Sequence, residues 1–200
     1  GAVAIGLRAR FFDPGFSGAN DCWGYTSPSG REYALLCMND AAGVVEITDA
    51  ANAQIVATLN TPFSFWRDMK VYDEYAYSVS EGGSGIQVFD LTQIDSGVVT
   101  HVTNVTAPGS TTSATHNVAL NEDTGFLYRC GGSDHGLRIY SLANPASPSY
   151  VTSWDDRYVH DANVVTMQSG PFQGDELAFC NTGLSGGFVD PGLTILNVTN

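Results

Sequence analysis

Four segments of this chain read as one short strand written four times: Val45-Glu46-Ile47-Thr48-Asp49, Ile86-Gln87-Val88-Phe89-Asp90, Leu137-Arg138-Ile139-Tyr140-Ser141 and Leu193-Thr194-Ile195-Leu196-Asn197. Each alternates apolar with variable residues, follows a glycine-containing turn and ends on a small polar turn-former. No helical period intervenes. Self-similarity at roughly 40–50 residues in such a chain is the mark of a β-propeller, built of four-stranded antiparallel blades around an axis. The expectation is therefore all-β. About four blades fall over residues 20–60, 65–105, 113–153 and 158–200, in a single domain spanning 1–200.

Composition suits that architecture. Glycine is plentiful at 22 residues, and charged residues make up only 14%, against roughly 25% in an average soluble domain. Residues 3–12 alternate ahead of the first repeat and form a spare outer strand. That strand can complete the fourth blade and close a four-bladed ring. The other arrangement makes these blades the first part of a larger propeller, because an open arc leaves raw sheet faces.

Charge narrows the partners. Twenty-one acidic residues face eight basic ones, a net charge of −13, and Lys70 is the sole lysine. With no basic patch to neutralise phosphates, nucleic acid is excluded as a partner, and adsorption to an anionic membrane is disfavoured. No run of eighteen apolar residues is present to insert into a bilayer. The opening Gly1-Ala2-Val3-Ala4-Ile5-Gly6 has neither a methionine nor a charged n-region, so it does not read as an intact signal peptide.

Cys22, Cys37, Cys130 and Cys180 show no zinc spacing, which leaves disulfides or buried thiols. If bridged, Cys22 with Cys37 and Cys130 with Cys180 are the natural pairs. The first pair sits on antiparallel neighbours within blade one, the second at equivalent strand ends in adjacent blades. Two sequons, Asn104-Val105-Thr106 and Asn197-Val198-Thr199, permit N-glycosylation. Even cysteines, one lysine and two sequons point to a secreted or extracellular protein.

The stretch Asp21-Cys22-Trp23-Gly24-Tyr25-Thr26-Ser27-Pro28-Ser29-Gly30-Arg31-Glu32-Tyr33-Ala34-Leu35 resembles the opening of the choice-of-anchor B family. Trp66-Arg67-Asp68-Met69-Lys70-Val71-Tyr72, Ala114-Thr115-His116-Asn117, Asn121-Glu122-Asp123-Thr124-Gly125-Phe126 and His160-Asp161-Ala162 resemble that family's successive blade starts. The four repeated strands are similar to its LVIVD repeats. The resemblance covers nearly the whole chain. It implies a secreted or surface-displayed microbial propeller, tethered by varied C-terminal anchors and without an established activity.

The chemistry-bearing residues recur at one place in each blade. Asp68, Asn117 and Asp161 align, preceded by Arg67, His116 and His160, while Asp21 and Trp23 stand at the start of blade one. First strands line a propeller's channel, so these side chains converge on one mouth. Two imidazoles and three carboxylates there suit a polar ligand or a cation; calcium is the ion such acids favour, although no DxDxDG loop occurs. A metal-dependent hydrolase using His116 or His160 as general base is the enzymatic alternative. Recurrence in every blade favours architecture, since a catalytic site breaks a repeat.

The glycine-rich turns at 81–85 and 131–136 join two strands, which makes them tight turns and not phosphate loops. No GxSxG nucleophile elbow is present. Trp23, Trp66 and Trp154 offer sugar-stacking faces or inter-blade packing. The function expected is a non-enzymatic binding, adhesion or assembly module without cofactor. Its partners would be other proteins, copies of itself or glycans.

Overall fold

The computed structural model describes residues 18–109, 113–183 and 191–199, together with Leu7. Sheet one contains β1 (Ala19–Thr26), β2 (Glu32–Met38), β3 (Ala41–Glu46) and β4 (Gln54–Asn60). Sheet two contains β5 (Arg67–Tyr72), β6 (Tyr75–Ser80), β7 (Ile86–Asp90) and β8 (Thr100–Val105). In sheet three lie β9 (Asn117–Asn121), β10 (Phe126–Cys130), β11 (Leu137–Ser141) and β12 (Ser149–Trp154). Sheet four has β13 (Val159–Thr166), β14 (Glu176–Thr182) and β15 (Gly192–Asn197) among the described residues. Residues 3–12, expected to supply an outer strand, lie outside the described residues.

Each sheet is an antiparallel meander in which sequence neighbours are hydrogen-bonded neighbours. The first strands touch in succession, β1 on β5, β5 on β9 and β9 on β13. Sheets joined through their innermost strands are blades about an axis. The fold is a β-propeller.

One backbone hydrogen bond recurs in all four blades and defines the repeat. It runs from Ile47 N–H to Glu32 C=O at 2.8 Å, Leu91 to Glu74 at 2.8 Å, Leu142 to Gly125 at 2.8 Å and Val198 to Glu176 at 2.9 Å. This register corrects the sequence reading of blade one. Ile47 is the counterpart of Leu91, so the copy of Ile86–Asp90 is Ala42-Gly43-Val44-Val45-Glu46, three residues earlier than side-chain alternation suggested. Thr48 and Asp49 leave the strand because their side chains have local work. The Thr48 hydroxyl accepts the Glu32 N–H at 2.9 Å, and Asp49 caps a short 3-10 turn through Ala51 N–H at 3.1 Å. In the later blades the strand falls where the pattern put it.

Burial follows the alternation of the strands. Between blades one and two, Tyr33, Leu35, Cys37 and Val44 meet Met69, Val71, Ala76 and Phe89. Tyr77, Val79, Ile86 and Val88 meet Val118, Leu127, Tyr140 and Leu142 at the next junction. At the third, Tyr128, Cys130 and Leu137 meet Val159, Val164, Ala178 and Cys180. Each such apolar side chain, fully buried, contributes about 1.5–3 kcal/mol. The far face of blade four leaves Leu193, Ile195 and Val165 exposed.

The glycine turns let blades approach closely. A Cβ on Gly132 (φ +78°) would lie 2.1 Å from the Ala114 carbonyl, and one on Gly85 (φ +66°) would lie 2.2 Å from that of Val105. Only glycine fits both the space and the backbone.

The cysteine pairing also needs correction, since all four thiols are free. Cys37 stands opposite Asp21, and Cys22 opposite Leu36. Neighbouring residues of a strand point to opposite faces, so Cys22 and Cys37 look away from each other. Cys130 and Cys180 share the third inter-blade core as buried thiols. Burial raises the pKa of both above the ordinary thiol value, Cys180 to about 12, as suits inert packing groups.

Candidate functional site

The aligned acids first serve their own strands. Asp21 Oδ1 accepts the Cys22 N–H at 2.7 Å, Asp68 Oδ1 the Met69 N–H at 2.6 Å, and Asp161 Oδ1 the Ala162 N–H at 2.8 Å. β1, β5 and β13 are edge strands of their sheets, so N–H groups along them can lack a strand partner on one side. Register shifts at Ala19/Asp21 and Val159/Asp161 interrupt the pairing just before Asp21 and Asp161. A short polar side chain satisfies such a group in place.

The same level of the channel stitches the blades together. Asn20 Oδ1 accepts the Arg67 N–H at 2.9 Å, joining blade one to blade two. Asp68 Oδ2 accepts the Val118 N–H at 3.0 Å, joining two to three. Asn117 Nδ2 donates to the His160 carbonyl at 3.1 Å, joining three to four. Bracing at this level matches the architectural reading of the ring.

Charge is concentrated at the first junction. The Lys70 ammonium lies 2.5 Å from Asp68 Oδ1 and 3.7 Å from Asp21 Oδ2, over the Trp23 ring at 4.6 Å from its centroid. Burial and the hydrogen bond with Asp21 push the Asp68 carboxyl up to about 7, against the pull of Lys70 and the Val118 N–H. Burial acts in the same direction on Asp21. There it is outweighed by hydrogen bonds from Asp68 and Cys22 N–H and by Lys70, so Asp21 falls below its ordinary value. The two carboxyls are thus pushed in opposite directions, Asp68 up and Asp21 down.

Across the channel two imidazoles meet. His116 Nε2 and His160 Nε2 are 2.9 Å apart, and Glu81 Oε1 lies 2.7 Å from His116 Nδ1. Trp66 packs on the His116 ring, with centroids 5.9 Å apart. Burial and the neighbouring His116 lower the affinity of His160 for a proton.

Arg67 departs from expectation. It is 1% exposed and turned away from the mouth, its Nε donating to the Met38 carbonyl at 3.0 Å and its guanidinium also to the Pro62 carbonyl. Arg67 and Asp68 are adjacent on β5, so only one of them can face the channel. Arg129 is similarly buried, donating to Thr115 Oγ1 at 2.7 Å and to the Ala114 carbonyl.

Asp21, Trp23, Asp68, His116, Asn117, His160 and Asp161 all line one cleft of about 850 Å³ at the channel mouth. Lys70, Trp66 and Asn20 join them there. Lys70 was legible, being the sole lysine and two residues along the strand from Asp68, on the same face. Glu81 carried no signal, because a glycine-rich turn gives no side-chain direction. Among the described residues, no three His, Cys, Asp or Glu side chains form a metal-ligand set. The sequon asparagines are both exposed. Asn104 lies in β8, 2.6 Å from His101 Nε2 through its Oδ1. Asn197 ends β15, its Oδ1 accepting from the Thr199 N–H at 3.0 Å and hydroxyl at 2.6 Å.

Comparison with known proteins bears on the fold alone. No protein-family model and no curated protein matches the chain. It is similar to a solved protein from Lactobacillus plantarum, with TM-score 0.57 and 17% identity over 98% of this chain and 60% of that one. Hydrazine synthase of Kuenenia stuttgartiensis matches with TM-score 0.57 and 14% identity over 88% of this chain and 50% of that chain. A candidate 6-phosphogluconolactonase of Bacteroides uniformis matches with TM-score 0.57 and 16% identity over 88% of this chain and 54% of that chain. The chain thus spans between half and 60% of the length of these three relatives. At these identities the likeness carries the propeller architecture and no chemistry.

Proposed function

We propose that this propeller is a non-enzymatic binding module, secreted or displayed at a cell surface, that takes a carbohydrate at its channel mouth. The observation that supports this reading is the rim of the cleft. Trp66 lines it and is 53% exposed, and Phe65 at 64% and Phe63 at 60% precede it in the loop running from β4 into β5. Aromatic side chains left this open beside convergent polar groups are the usual make-up of a recognition site. Their faces suit the C–H surface of a sugar ring, while Asn117 and Asp161 offer acceptors to hydroxyls.

Two features favour binding over turnover. Asp68 and Asn117 are committed to blade-to-blade bonds, and the imidazoles are engaged with each other and with Glu81. The secretory setting rests on the two sequons and on the family resemblance.

Fluorescence titration with a panel of neutral oligosaccharides tests the reading. Saturable quenching by at least one sugar, lost in Trp66→Ala, is the expected result. A flat response to every sugar, with self-association that weakens in Phe63→Ser and Phe65→Ser, would replace carbohydrate by a second copy of this chain. Secreted material from a eukaryotic host should carry glycan at Asn104 and Asn197 by mass spectrometry.

A further inference from the structure

The imidazole pair has a geometry that a simple ring-to-ring hydrogen bond does not require. Two rings bonded end to end through nitrogens 2.9 Å apart place their centroids about 5 Å from each other. Here the centroids are only 4.2 Å apart, with ring planes inclined at 60°. The rings are therefore inclined to each other and closer than an end-to-end bond would set them.

Two imidazole nitrogens each about 2.0–2.1 Å from one ion stand about 2.9 Å apart at a right angle, with centroids roughly 4.5 Å apart. At the tetrahedral angle those separations grow to about 3.4 Å and roughly 5.2 Å. The observed 2.9 Å equals the right-angled separation, and the observed 4.2 Å lies nearer its roughly 4.5 Å than the tetrahedral value of roughly 5.2 Å.

We propose that His116 and His160 form a two-imidazole site for a square-planar or tetragonal divalent ion, Cu(II) or Ni(II), at the mouth of the channel. Right-angled nitrogens select these ions over tetrahedral Zn(II), and Cu(II) heads the affinity order for such donors. Glu81 is the positioning residue. By accepting from Nδ1–H of His116 at 2.7 Å, it fixes the tautomer that leaves Nε2 with its lone pair, the carboxylate–histidine arrangement common behind metal ligands. Asn117 holds the His160 backbone through its carbonyl. Both imidazoles line the cleft, so water or a bound ligand can complete the coordination of such an ion. Binding replaces the ring-to-ring hydrogen bond, the His160 proton passing from Nε2 to Nδ1 so that both Nε2 lone pairs are free for the ion. The net charge of −13 draws cations to the surface.

Titration of the metal-free protein with Cu(II) alone tests this site, read by calorimetry and by electron paramagnetic resonance. One ion per chain with hyperfine coupling from two imidazole nitrogens is expected. His160→Ala and His116→Ala should each weaken binding at least tenfold and remove one nitrogen from the spectrum, and Glu81→Gln should weaken it about tenfold. His101→Ala, away from the cleft, should change nothing. Circular dichroism confirms that each variant is folded. Failure to take up Cu(II), or uptake that persists unchanged in folded His160→Ala, overturns the proposal. Sugar binding at Trp66 is read separately and stands or falls without it.

Discussion

The Asp68 carboxylate of blade two accepts the Val118 N–H of blade three at 3.0 Å. The acceptor is 3% exposed and the donor's residue 1%. The bond crosses a blade junction at the level where Asn20 and Asn117 make the other two stitches. The side chains that look most chemical in the sequence thus hold consecutive first strands in register around the axis. The cleft is what those stitches leave open.

Removing the stitch should cost stability. Asp68→Ala leaves the buried Val118 N–H without a partner, and the expected loss is about 1–3 kcal/mol. Asp68→Asn keeps an acceptor oxygen and should lose less at neutral pH. Urea unfolding of the three proteins checks the order.

The pH dependence carries a sign. The folded chain holds the Asp68 proton up to about pH 7, whereas the unfolded chain releases it near the ordinary carboxylate value. Between those limits the folded state binds more protons, so stability falls as pH rises through the window. Asp21, shifted the other way, contributes stability that is lost only under more acidic conditions. The deficit of Asp68→Asn relative to wild type should therefore be greatest near pH 4, smaller at about pH 5 and least by about pH 8. A gap that stays constant across that range rules out the upward shift of Asp68.

Arg67 should tolerate no replacement. Its guanidinium serves two carbonyls from a buried position, and charge-assisted bonds of this kind are worth about 1.5–3 kcal/mol each. Arg67→Lys keeps the charge but cannot fork to both acceptors. A loss of about 2–4 kcal/mol in Arg67→Ala, only partly recovered by Arg67→Lys, is the outcome expected from thermal and urea unfolding.

Thiol labelling separates free cysteines from bridged ones. Cys22 is exposed, and Cys37, Cys130 and Cys180 are buried. One thiol per chain should react rapidly in the native protein and all four after denaturation. No rapid reaction, with fewer than four thiols in denaturant before reduction, would restore the disulfides that the sequence suggested.

The sequence by itself determined the architecture. Strands of period two, punctuated by glycine turns and repeated about every 40–50 residues, have few ways to bury their apolar faces other than against one another around an axis. It also placed Asp21, Asp68, His116, Asn117, His160 and Asp161 at one mouth, because equivalent positions in equivalent blades face the same channel. Tertiary structure alone decided the rest. Blade one's repeat lies three residues early because Thr48 and Asp49 bond to the local backbone, a competition that alternation cannot register. Cys22 and Cys37 miss each other because a shift of one residue turns a side chain to the opposite face of the sheet. Arg67 and Asp68 part for the same reason, one into a blade junction and the other toward Lys70. Glu81 reaches His116 from 35 residues away, and only the packing of blade three against blade two brings that carboxylate to the imidazole.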